Sequence, residues 1–127
     1  MIGFALRWDG QANGSLWISG DTVLFDGVRE VADRFDVGTV LLHLGAVRFG
    51  VTGPVRSGPV RYTMTAREGI KLLDLLSPET TIPVHYEGWT HFRQNRTAIE
   101  SEFAAAPERI RRSIRWAPIG GPIGISI

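Results

Sequence analysis

The chain contains no cysteine, which excludes a disulfide framework and any thiolate ligand, so a bound metal would have to be held by histidine, aspartate or glutamate. It also lacks a charge excess. Fourteen basic residues against thirteen acidic ones leave a formal net charge of +1, which points to no polyanionic partner. Arg109, Arg111, Arg112 and Arg115 make the one basic cluster, but without interleaved exposed aromatics it reads as a solvated face, and no nucleic-acid partner is expected. No apolar run approaches the roughly 18 residues of a membrane span. The apolar opening from Met1 to Leu6 is too short for a signal sequence and is interrupted by Arg7 and Asp9, so the expected location is cytoplasmic. A phosphate-binding glycine loop is missing too, because Gly120-Gly121-Pro122 has neither the helix nor the lysine that such a loop uses. Ser15, Ser19 and Ser57 lack the flanking pattern of a nucleophile elbow.

What is present suits one soluble domain. With 127 residues, 43% of them hydrophobic and 21% charged, the chain is long enough to bury one core, and no repeat or linker divides residues 1–127. Residues 3–8 and 15–20 alternate around Asp9-Gly10 and Asn13-Gly14, whose turn residues predict a β-hairpin. Val28, Val31, Ala32 and Phe35 recur at helical spacing, with Asp26 placed to cap them. Val37–Leu44 reads as a strand buried on both faces. From Gly45 to Tyr62 no period of either kind appears, which predicts a long irregular loop bordering the site. Thr65-Ala66-Arg67-Glu68 matches a capping box, and the apolar stripe behind it predicts a helix from about 66 to 76. Residues 80–84 form a brief strand that Pro83 confines to an edge or a terminus. Thr90 is placed to cap a further helix carrying Phe92, Ile99 and Phe103, which ends near Ala106-Pro107. The tail, from Ile114 on, reads as short strand pieces between turns.

Strands followed by helices, with polar residues at strand ends, predict an α/β arrangement in which ligands bind beyond the carboxyl edge of the sheet. Asp21 and His85 both fall at such ends, and they are ligand types that a catalytic zinc takes. The plainer alternatives are a turn aspartate bonded to backbone near Thr22 and a packed strand-end histidine. His43 interrupts an apolar strand and reads as a hydrogen-bonded core or edge histidine before it reads as a ligand. His91 is placed to line a pocket or to bond a neighbouring carboxylate. Glu87 either orients His85 or faces solvent, and Tyr86 either bonds a substrate oxygen or covers the core.

The order Ser19-Gly20-Asp21-Thr22 after a hairpin, Tyr62-Thr63-Met64-Thr65 opening a helix, and then Ile82-Pro83-Val84-His85-Tyr86-Glu87-Gly88-Trp89-Thr90-His91-Phe92 resembles the C-terminal half of the metallo-β-lactamase superfamily. Within it, the chain looks most like the branch related to ascorbate-6-phosphate lactonase and N-acyl-phosphatidylethanolamine phospholipase D. The resemblance implies half of a four-layer αββα sandwich, a mixed sheet with helices on one face, and a site for two metals, usually zinc, between the two halves. It implies that Asp21 bridges both metals and that His85 closes the second position. The water they activate would attack an ester, lactone or phosphodiester of a small-molecule substrate.

The family's H-x-H-x-D-H motif belongs to the N-terminal half, and this chain does not contain it. Only three histidines are present. The strand pattern also starts at Gly3 without a polar lead-in, as if mid-fold. Three expectations follow. The first is a hydrolase whose missing half lies before Met1, so that the isolated chain is inactive; the second is a non-catalytic half-domain that binds a complementary chain or itself to cover an exposed apolar sheet face; the third is a catalytically dead fragment that folds poorly.

Overall fold

The computed structural model describes residues 2–49 and 60–127. Strand β1 (Phe4–Leu6) and strand β2 (Ser15–Ile18) form the hairpin, antiparallel with Phe4 opposite Ile18 and Leu6 opposite Leu16. Helix α1 (Asp26–Arg34) then crosses to strand β3 (Val37–His43), which lies parallel to β2. Asp26 does not cap α1: it is the first helical residue, behind a Phe25 N-cap that makes no side-chain bond. Its carboxylate sits near the positive end of the helix dipole instead.

After β3, two short strands, β4 (Arg48–Phe49) and β5 (Val60–Arg61), pair antiparallel as a separate ribbon. They replace the flanks of the irregular loop expected from Gly45 to Tyr62, whose residues 50–59 lie outside the described residues. The loop's period was hidden because two-residue strands are shorter than any alternation that can be counted. Helix α2 (Ala66–Leu76) has the expected capping box, with Thr65 and Glu68 each accepting from the other's backbone N–H, and Ser77 ends it in a left-handed conformation. Strand β6 (Thr80–Val84) pairs parallel with β3 and forms an edge of the sheet β1-β2-β3-β6, where Pro83 is tolerated.

Beyond β6 two expectations are corrected. Thr90 starts no helix; residues 86–94 are bends and turns, and helix α3 (Arg96–Ala104) begins behind Asn95, whose side chain accepts from Ala98 N–H at 3.0 Å. Backbone bonds from Arg93 and Gln94 N–H to the Gly45 carbonyl hold this segment against the exit of β3 and keep it out of a helix. Helix α4 (Glu108–Ser113) carries Arg109, Arg111 and Arg112 and was not foreseen. The tail's expected strands reduce to one isolated bridge between Ile114 and Thr81.

Trp17, Val40 and Leu42 on one sheet face pack with Val28 of α1, Leu72 and Leu73 of α2, Ile99 and Phe103 of α3 and Ile110 of α4 in one core. The fold is therefore α/β, a mixed sheet with helices against one face, consistent with half of a metallo-β-lactamase sandwich. On the opposite face Phe4 is 57% and Leu6 41% exposed. Among the described residues no helix is long and apolar enough to cross a membrane.

Candidate metal centre

Because β2, β3 and β6 run parallel, the ends of β2 and β6 lie on the same edge of the sheet. Gly20 turns the chain out of β2 with φ +63°, and a Cβ there would lie 2.5 Å from the Ile2 carbonyl oxygen, so glycine alone fits. Asp21 follows with its side chain about half exposed. At the end of β6, His85 takes φ +60°, a left-handed conformation that a non-glycine residue holds only when its surroundings impose it. Those surroundings are visible: the His85 carbonyl lies against Gly45, and the Phe92 ring stands edge-on to the imidazole at 5.0 Å.

The result is that His85 Nδ1 stands 3.5 Å from Asp21 Oδ1. The nitrogen is buried and makes no hydrogen bond; the gap exceeds the usual N–H···O range of about 2.7–3.2 Å. Two ligand bonds of about 2.1 Å at a tetrahedral angle would set donor atoms about 3.4 Å apart. An orphaned imidazole nitrogen facing a carboxylate at that separation fits a shared cation, as one oxygen and one nitrogen donor of a larger set. Among the described residues, no group of three or more His, Cys, Asp or Glu side chains is placed to hold a metal.

His43 sits directly behind this pair. Its ring centroid is 5.6 Å from that of His85. Ser19 Oγ accepts the His43 backbone N–H at 2.9 Å and lies 3.4 Å from the His43 Nδ1. Burial holds the His43 pKa below its usual range; Asp21 pulls it back up, the neighbouring His85 lowers it further, and the Leu41 backbone contact raises it. Ser19 is buried, and its role was not legible as a motif. The only sequence signal is a small polar residue next to Gly20 on an otherwise apolar strand.

The remaining candidates disperse. Tyr86 turns into the core, edge-on to Trp116 at 5.7 Å, and burial raises its phenol pKa, with Glu87 adding to the effect. Glu87 is exposed. His91 is exposed and packs against Phe49 at 4.6 Å and Trp89 at 5.9 Å.

No family model matches the chain. Among curated proteins it is 31% identical over 110 residues to a UPF0173 metal-dependent hydrolase of Opitutus terrae, which covers 85% of this chain and 40% of that protein. A counterpart from Pelotomaculum thermopropionicum is 30% identical over 105 residues, 82% of this chain and 38% of its own length. One from Nanoarchaeum equitans is 28% identical over 87 residues, 68% of this chain and 32% of its own length. The chain thus spans between a third and two fifths of these relatives. Among solved structures, an isothiocyanate hydrolase from Delia radicum gut bacteria superposes with a TM-score of 0.77 at 20% identity, over 98% of this chain and 44% of that one. Igni18, a metallo hydrolase from Ignicoccus hospitalis, gives 0.56 at 22% identity, over 91% and 41%. The sequence relatives are named as metal-dependent hydrolases, and the superposition over more than nine tenths of this chain shows that it has the fold of part of each of these two hydrolases.

Proposed function

We propose that this chain supplies the Asp21 and His85 side of a zinc-dependent hydrolase acting on an ester, lactone or phosphodiester, as in the lactonase and phospholipase D branch that its motifs resemble. The observation that carries the reading is the unpartnered His85 Nδ1 facing Asp21 at 3.5 Å. Asp21 would hold a cation through a carboxylate oxygen and His85 through its Nδ1. A bound divalent metal would supply Lewis acidity, activating water and polarising the scissile group. The chain's own residues orient and shield: Phe92 holds the His85 ring, His43 backs it, and Ser19 fixes His43. The absence of H-x-H-x-D-H from the sequence makes the isolated chain a partial, inactive site in this reading, completed by a second polypeptide segment.

The test is zinc binding by the purified chain, followed by calorimetry and metal analysis. Weak or substoichiometric binding that both Asp21→Ala and His85→Ala abolish is expected. Tight binding that His85→Ala leaves intact would refute the assignment.

A second reading, a non-catalytic half-domain that self-associates or binds a complementary chain, is favoured by the exposure of Phe4 and Leu6 on the helix-free sheet face. Concentration-dependent sedimentation that Phe4→Lys suppresses would support it, and a stable monomer would contradict it.

A further inference from the structure

Four rings outside the core touch one another in series. Tyr62 meets Phe49 edge-on at 5.1 Å, Phe49 meets His91 at 4.6 Å, and His91 meets Trp89 at 5.9 Å. They come from three separate segments: the end of β4, the residue after β5, and the turn that follows His85. Phe49 is 37%, Tyr62 39% and Trp89 66% exposed. Each of the three therefore keeps part of its ring in contact with solvent.

Their position does point to a use. The turn that carries Trp89 and His91 begins at His85, and its far end is tied to Gly45 by the Arg93 and Gln94 N–H groups. The ribbon that carries Phe49 and Tyr62 is tied to the same exit of β3 through the Tyr62 N–H to Val47 carbonyl bond of 2.9 Å. Phe92, next to His91, touches the His85 ring. Both supports of the ring series are thus anchored just beyond the exit of β3, the strand between β2 and β6, whose ends carry Asp21 and His85. An open pocket of about 320 Å³ is lined by Gly88, Trp89, Thr90 and His91. Where a Cβ would stand at Gly88 there is empty space. The pocket is a shallow depression along one side of the turn, and exposed rings in edge and tilted contacts leave ring faces and edges available to a further planar group.

We infer that Phe49, His91 and Trp89, backed by Tyr62, form a wall beside the metal centre that receives a planar aromatic group of the substrate. The inference rests on the reading of Asp21 and His85 as metal ligands. It assigns specificity to the ring series: substrates with an aromatic substituent near the scissile bond are favoured over saturated ones of the same size.

The test uses the full chain, with and without zinc, and two matched neutral probes, phenylacetamide and cyclohexylacetamide. Binding is read from the backbone amide shifts of residues 85–94. Phenylacetamide is expected to bind more tightly than its saturated counterpart, and Trp89→Ala and Phe49→Ala are each expected to weaken it roughly five-fold, the scale of one lost aromatic pair. Trp89→Phe should retain most of the affinity, and Asp21→Ala should lose zinc yet still bind the probe. Equal affinity for the two probes, shifts located elsewhere, or a folded Trp89→Ala chain with unchanged affinity would overturn the inference. Self-association that Trp89→Ala abolishes would overturn it in favour of a second copy of the chain on these rings. Failure of the wild-type chain to bind zinc, with the aromatic preference intact, would instead overturn the metal reading and with it the role of the wall beside a metal centre.

Discussion

Ser19 Oγ accepts the backbone N–H of His43 at 2.9 Å, and this bond ties the strand leading to Asp21 to the strand whose histidine ring backs His85. Two strand ends that approach independently would leave the carboxylate and the imidazole free to drift. A half-buried side-chain bond from the end of β2 to β3 holds their mutual height at the sheet edge.

Ser19→Ala removes the acceptor and leaves the half-buried His43 N–H unpaired. Its expected cost is about 1–3 kcal/mol of folding stability, measured by urea denaturation, together with weaker zinc binding although neither proposed ligand is altered. Unchanged stability and unchanged zinc affinity would show that Ser19 does not organise the edge.

Gly45 has φ +94°, and a Cβ there would lie 2.6 Å from both the His85 carbonyl oxygen and the Phe92 ring. Gly45→Ala is therefore expected to destabilise the chain by more than about 1 kcal/mol and to displace the turn after β6. Thermal melting reads the first effect, and the amide shifts of His85 and Phe92 read the second.

Acid should loosen the metal-free chain through His43. Its folded-state pKa is depressed, chiefly by burial, so folding disfavours the protonated ring. The contribution of His43 is then complete above its unfolded pKa of about 6.5 and is lost as pH falls below that value toward the folded pKa. Urea midpoints measured in chelator between pH 8 and pH 5 should decline, and His43→Gln should flatten the part of the decline below pH 6.5. An identical profile in the variant would assign the decline to other groups.

The capping box offers a control remote from the proposed ligands. Thr65→Ala removes the oxygen that accepts the Glu68 N–H at 3.2 Å and is expected to lower stability by about 1 kcal/mol, with zinc affinity unchanged. Glu68→Ala should lower it further, because Glu68 also pairs with the half-buried Arg61. The two variants, compared by urea denaturation, separate the cap from the ion pair.

Much of this molecule was legible in its sequence because the signals were local. The β1–β2 hairpin followed from Asp-Gly and Asn-Gly turns, and α2 followed from a capping box at its start and the Ser77-Pro78 stop at its end. Strand β6 spans the expected residues 80–84. Where tertiary contacts competed, local signals misled: Thr90 had the chemistry of a helix cap, but the Gly45 carbonyl takes the N–H groups of Arg93 and Gln94, and the helix waits for Asn95. Helix α4 was obscured because six residues are too few to show a period.

The sequence by itself determined which side chains were available for a metal, Asp21 and His85 at strand ends in a chain without cysteine, and the superfamily that this order resembles. Only the tertiary structure decided that the two meet. Parallel pairing through β3 brings distant strand ends to one edge, and the left-handed backbone at His85, packed against Gly45 and Phe92, sets its nitrogen 3.5 Å from the carboxylate. Side-chain direction at a strand end depends on contacts from remote segments, and spacing along the chain does not encode those. The same reason explains why Tyr86 faces the core while His91, only five residues further on, joins an exposed series of rings.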